Sequence, residues 1–112
     1  MSLKVDTVFI WVSDLDAAVD WYTTIGFETG SRYETWQVMD VDGDTRFALH
    51  QGIREEGPST AVPSFRVADL EGEIERLAEH GIQPREEITD SGTARFTTFV
   101  DPDGNEIQLL ER

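Results

Sequence analysis

The sequence predicts an α+β domain built from two tandem βαβββ modules. Three observations predict it: landmarks that recur in the same order, short apolar stretches of period two, and two amphipathic stretches that each end in glycine. Val12-Ser13-Asp14-Leu15 is echoed by Val67-Ala68-Asp69-Leu70, and Gly26-Phe27 by Gly81-Ile82, both fifty-five positions later. Asp42-Gly43-Asp44 is echoed by Asp103-Gly104-Asn105 after sixty-one, so the second copy carries six extra residues between its helix and its last turn. Two long copies are too few for a solenoid. The 112 residues therefore read as a single domain, 1–112, with a first module at 1–51, a linker at 52–61 and a second module at 62–112.

Each module opens with a strand. Val8, Ile10 and Val12 alternate with Thr7, Phe9 and Trp11, and Pro63, Phe65 and Val67 alternate with Val62, Ser64 and Arg66. A helix follows. Ser13 or Asp14 can cap the first one, and Asp16 suits the positive end of its dipole. Leu15, Ala18, Val19, Tyr22 and Ile25 form one apolar stripe, and Gly26 permits a left-handed stop. In the second helix Leu70, Ile74, Leu77 and Ala78 form the stripe, Glu71, Glu73, Glu75, Arg76 and Glu79 face water, and Gly81 ends it. Three strands then complete each copy: 27–34, 36–41 and 45–51 in the first, and 83–88, 93–100 and 106–110 in the second. Asp42-Gly43 is a tight hairpin signal, and Asp101-Pro102-Asp103-Gly104-Asn105 is a turn in which proline presets φ and glycine supplies a positive φ. Polar Glu55-Glu56-Gly57-Pro58 marks the linker.

Composition removes several classes of function. Cysteine is absent, which excludes a disulfide framework, a cysteine nucleophile and any thiolate metal site. Twenty-three acidic against nine basic residues give a formal charge of −14. Such a field repels phosphate backbones and anionic membranes, so neither nucleic acid nor membrane is an expected partner. With Lys4 as its single lysine, the chain also reads as an acid-rich, arginine-favouring composition or as adaptation to high salt, and the field attracts cations. No apolar run is long enough to span a bilayer, and the stretch Met1–Asp6 has no basic region followed by an apolar one, so a cytoplasmic protein is expected. No Ser-His-Asp set, phosphate loop or catalytic carboxylate pair is recognisable, and the Asp101–Gly104 turn lacks the distal Glu of an EF-hand.

The βαβββ order and its landmarks resemble the vicinal oxygen chelate superfamily, which holds glyoxalase I, bleomycin resistance proteins, extradiol dioxygenases and fosfomycin resistance enzymes. Val12-Ser13-Asp14-Leu15, Trp21-Tyr22, Gly26-Phe27 and the run Phe99–Ile107 carry the likeness. It covers nearly the whole chain and specifies fold better than function. The resemblance implies cup-shaped mixed sheets with helices on their outer faces, and a homodimer with two clefts. Thr7, Phe9 and Trp11 are then expected to face the first cup, and Val62, Ser64 and Arg66 the second.

Metal-dependent members of that superfamily place ligands at four cup positions, which fall here on Thr7, Ala48, Val62 and Gln108. These residue types do not make a conventional divalent site, since only Gln108 offers a weak carbonyl oxygen. The expectation is therefore no cofactor and no metal, with bleomycin-resistance-like members as the nearest kind. The expected function is metal-independent binding of a planar or cationic small molecule, with sequestration as its use. The alternative is a lyase, isomerase or dioxygenase-like enzyme acting on a small oxygenated substrate.

The candidate ligand-binding residues are Thr7, Phe9, Trp11, Trp36, Ala48, His50, Val62, Ser64, Arg66 and Gln108. Phe9 and Trp11 can stack on a planar ligand or fill a dimer core. Trp36 begins a cup strand, with Tyr33 just before it. His50, two positions beyond Ala48 on the same side of its strand, is a hydrogen-bond partner or general base for a ligand, or a histidine at the strand's rim. It is the only catalytic candidate. Arg66 and Arg46 can hold a ligand carboxylate or pair with acids such as Glu34 or Asp40. Trp21 reads as partly exposed, His80 as a helix-end residue, and Glu86-Glu87 as solvated.

Overall fold

The structure, a computed structural model, describes residues 6–52 and 61–112. The start Met1–Val5 and most of the expected linker, including Glu55-Glu56-Gly57-Pro58, lie outside the described residues. By backbone contacts the chain divides into two units, Met1–Pro58 and Ser59–Arg112.

The first unit runs β1 (Thr7–Val12), α1 (Leu15–Ile25), β2 (Glu28–Arg32), β3 (Trp36–Asp40) and β4 (Arg46–Gln51). The second runs β5 (Ser64–Arg66), α2 (Leu70–Glu79), β6 (Thr89–Asp90), β7 (Arg95–Val100) and β8 (Glu106–Glu111). Each unit forms one mixed four-stranded sheet, ordered β1-β4-β3-β2 and β5-β8-β7-β6. In both, the first strand pairs parallel to the last while the other pairs are antiparallel. The repeat is thus visible in the ladders: Phe9 sits opposite Ala48 in the first unit, and Ser64 opposite Gln108 in the second.

The helix ends follow from local chemistry. Asp14 caps α1 by accepting from Ala17 N, and Asp69 caps α2 by accepting from Gly72 N, both at 3.1 Å. The first helical N–H of each is also met by the end of its own sheet: Leu15 N donates to Gln51 Oε1, and Leu70 N to Glu111 Oε2. At the C-termini Phe27 N reaches back to Tyr22 O and Ile82 N to Leu77 O, both at 3.0 Å. These are paired Schellman-type endings. Gly26 at φ 134 and Gly81 at φ 77 make them possible, because a β-carbon disfavours that region. His80 is the residue before this stop, the C-cap of α2.

The alternation expected for β1 holds at Ile10 and Val12, while Val8 near the strand's start is only half-buried. Ile10 and Val12 are buried, as are Leu15, Ala18, Tyr22 and Ile25 of α1. Tyr22, Phe27 and Phe47 form a ring cluster beneath α1, with centroids 5.4–5.9 Å apart. In the second unit Leu70 and Leu77 bury with Phe99, Ile107 and Leu109. Ile74 is only half-buried and Ala78 is exposed, so the second stripe is narrower than its sequence suggested. Glu73 and Arg76, expected in water, pair with each other at 2.8 Å in a half-buried position. Trp21 is half-buried, with its ring 4.8 Å from that of Tyr22.

Three strand boundaries differ from expectation for physical reasons. The strand expected over 83–88 is not one, because Pro84 has no N–H to donate to a ladder. The segment is instead tied to β7 by Arg85 N to Thr98 O and Thr97 Oγ1 to Glu86 O, both 2.8 Å, and only β6 pairs as strand. β5 begins at Ser64 and not at Val62; Pro63 contributes only its carbonyl, which accepts from Gln108 N at 2.9 Å. β2 ends at Arg32 because Tyr33 N closes a hairpin on Trp36 O. The β2–β3 register also shifts between Thr29 and Arg32. Buried Gln37 spans that irregularity, with Nε2 donating to the carbonyls of Gly30, Ser31 and Val38.

The turn at 101–105 is held by Asp101, whose Oδ1 accepts from Asp103 N and Asn105 N, while Oδ2 accepts from Asn105 Nδ2. At the surface, Arg95 bonds Glu71 and Glu111, and Glu71 above all raises its pKa further, so it stays cationic. Arg85 pairs with Glu106. No described helix is long and apolar enough to cross a membrane.

Candidate functional site

The candidate site lies on the first unit's sheet, on the face turned away from α1. Strand alternation sends Thr7, Phe9 and Trp11 of β1 to the side opposite Ile10 and Val12. In register, Trp11 is beside His50, and His50 beside Trp36, so residues from three neighbouring strands meet in one row. Trp11 and His50 have ring centroids 4.5 Å apart at 56°. Phe9 meets Trp11 edge-on at 5.5 Å and lies 5.7 Å from His50. Trp36 lies 6.3 Å from His50, and Tyr33 stacks on Trp36 at 5.1 Å. The row is only partly covered: Phe9 is 45% exposed and Tyr33 52%, while Trp11, Trp36 and His50 are half-buried. Exposed aromatic rings attract a second ring or a cation through their π-faces.

Two contacts fix the row. The carbonyl of Gln51 can only accept, so the 3.2 Å contact from His50 Nδ1 makes that nitrogen the N–H donor. Gly52, the residue after β4, lies against the Trp11 ring. A β-carbon there falls 2.8 Å from Trp11 Cε3 and Cζ3, so the ring occupies space that only glycine leaves open. The sequence carried the signal for Gly52, a glycine just after a strand, but nothing that linked it to Trp11.

The expected site residues are placed as follows. Phe9, Trp11, Trp36 and His50 come together, and Tyr33 joins them. Ala48 is fully buried between Phe9 and Val38 in the ladder. Thr7 is at the start of β1, where its hydroxyl donates to Asp6 Oδ2 at 2.7 Å. Ser64, Arg66 and Gln108 belong to the second unit's sheet. Ser64 Oγ donates to Gln108 Oε1 at 3.0 Å, and Arg66 is exposed. Val62 is exposed and precedes the strand. Among the described residues neither Arg46 nor Arg66 forms an ion pair with Glu34 or Asp40, the partners expected for them; the arginines that do pair include Arg32, with Asp16 at 3.0 Å.

The superfamily's metal positions can be tested against their donors. Ala48 and Val62 carry no donor atom, the Thr7 hydroxyl is engaged by Asp6, and the Gln108 oxygen by Ser64. Among the described residues no three His, Cys, Asp or Glu side chains gather where they could hold an ion. The residues present do not fit a divalent centre.

Comparison with curated proteins gives no match. Solved structures do match. The antibiotic-binding protein TnmS3 from Streptomyces sp. CB03234 is 27% identical with a TM-score of 0.83, over 99% of this chain and 98% of that one. A glyoxalase/bleomycin resistance protein from Catenulispora acidiphila DSM 44928 is 25% identical with a TM-score of 0.75, over 97% and 99%. The oxidase ChaP-H2, at 18% identity and a TM-score of 0.78 over 100% and 95%, shares the fold. A family model described as the glyoxalase/bleomycin resistance protein/dioxygenase superfamily matches residues 4–109. The chain belongs to the glyoxalase/bleomycin resistance protein/dioxygenase superfamily.

Proposed function

We propose that the chain is a metal-independent small-molecule-binding protein that holds a planar or cationic compound on the aromatic face of its first unit and so sequesters it. The observation that carries this reading is the row Phe9, Trp11, His50 and Trp36, partly exposed and backed by a rigid sheet. A flat ligand laid on it gains stacking, and a cationic one also gains attraction to the ring faces. The charge of −14 supports the cationic case by raising the local concentration of cations. The likeness to an antibiotic-binding protein over nearly the full length supports binding as the activity. The donor-poor positions Thr7, Ala48, Val62 and Gln108 support independence from metal.

We place the same activity in a homodimer of single-domain chains with modules at 1–51 and 62–112. The test is titration with proflavine, a planar cation, followed by quenching of tryptophan fluorescence at low and high salt. The reading expects saturable quenching that weakens as salt screens the acidic field. Absence of saturable binding at either salt contradicts it. Turnover of a small oxygenated substrate, abolished by His50→Phe, moves the chain to the enzyme alternative.

A further inference from the structure

We infer that His50 selects, among planar ligands, those that carry a hydrogen-bond donor on the ring, such as a phenolic hydroxyl or a ring N–H. The inference rests on the aromatic face being a binding surface, and it adds the polar chemistry that this surface reads. The Gln51 carbonyl cannot donate, so His50 Nδ1 must carry the proton in that contact. In a neutral imidazole this fixes the tautomer and leaves Nε2 as a lone-pair acceptor. Among the described residues no hydrogen-bond partner meets Nε2. The ring bearing it is held in the centre of the row, 4.5 Å from Trp11, 5.7 Å from Phe9 and 6.3 Å from Trp36.

A ligand stacked on those rings strips water from the imidazole edge. An O–H or N–H on the ligand restores the lost hydrogen bond, whereas an ether or an unsubstituted ring leaves Nε2 without one. Discrimination of this kind comes from the unsatisfied group and not from extra contact area. Val38 and Ala48, the neighbours on the same face, have no side-chain polar atom to take over that role.

The experiment is equilibrium dialysis of the full chain against 2-naphthol and 2-methoxynaphthalene, which share a ring system but differ in the donor. The naphthol is expected to bind about three- to tenfold more tightly, the range of one net hydrogen bond. In His50→Phe, which keeps an aromatic ring and loses the acceptor, the ratio of the two affinities is expected to fall to about one, whatever the variant does to both affinities together. Circular dichroism checks that the variant is folded, and the wild-type ratio stands as a test without it. Equal affinities, or no binding of the naphthol, overturns the inference. Binding of the ether or of proflavine alongside that result shows that the planar-ligand reading survives it. Failure of all three probes overturns both.

Discussion

Gly52→Ala tests whether the aromatic row is as closely packed as the structure has it. The new methyl group lies 2.8 Å from two carbons of the Trp11 ring. Carbon atoms prefer about 3.5–4.0 Å, so the ring or the chain must give way by about 0.7–1.2 Å. Neither can do so freely. The backbone at Gly52 is tied by its N–H to Val12 O at 2.9 Å, and Trp11 is flanked by His50 at 4.5 Å and Phe9 at 5.5 Å. Overpacking of this kind costs about 1–3 kcal/mol. Urea unfolding should show that loss, near-UV circular dichroism should show an altered tryptophan environment, and proflavine should bind more weakly. Wild-type stability, spectrum and affinity together would contradict this packing, because they would mean that the space beside Trp11 is not occupied.

Asp101→Ala should lower the unfolding free energy by about 3 kcal/mol in urea titration, since it removes a buried carboxylate that accepts from two backbone N–H groups and the Asn105 amide. Gly81→Ala should cost about 1–2 kcal/mol in the same assay, because φ 77 places a β-carbon against the following carbonyl. The proposed homodimer should sediment at twice the mass of one chain, and sedimentation at the monomer mass contradicts it.

Much of the fold is legible in the sequence because the repeat writes its landmarks twice. Asp14 and Asp69 start helices, Gly26 and Gly81 stop them, and one chemistry explains both copies. The strand expected over 83–88 is absent because Pro84 removes a ladder donor that the apolar pattern cannot replace. The bridging role of Gln37 was illegible, because a register irregularity depends on how two strands meet and not on either strand's pattern. In the site, alternation was enough to put Phe9, Trp11 and His50 on one face. The meeting of His50 with Trp36 needed the β3–β4 register, and the fit of Trp11 over Gly52 needed coordinates. Arg46 and Arg66 show the reverse: their type and alternation suggested buried ion pairs, but both are exposed at strand ends, where a cation is solvated and needs no partner.

The proposed function has the aromatic face of the first unit bind a planar ligand without a metal. Calorimetric titration of exhaustively chelated protein with proflavine tests it most directly. One site per chain is expected, with the affinity of untreated protein, and a weakening of about tenfold in Trp11→Ala, the loss of one stacked ring at about 1.4 kcal/mol. Binding that disappears on chelation and returns with a divalent metal contradicts the claim.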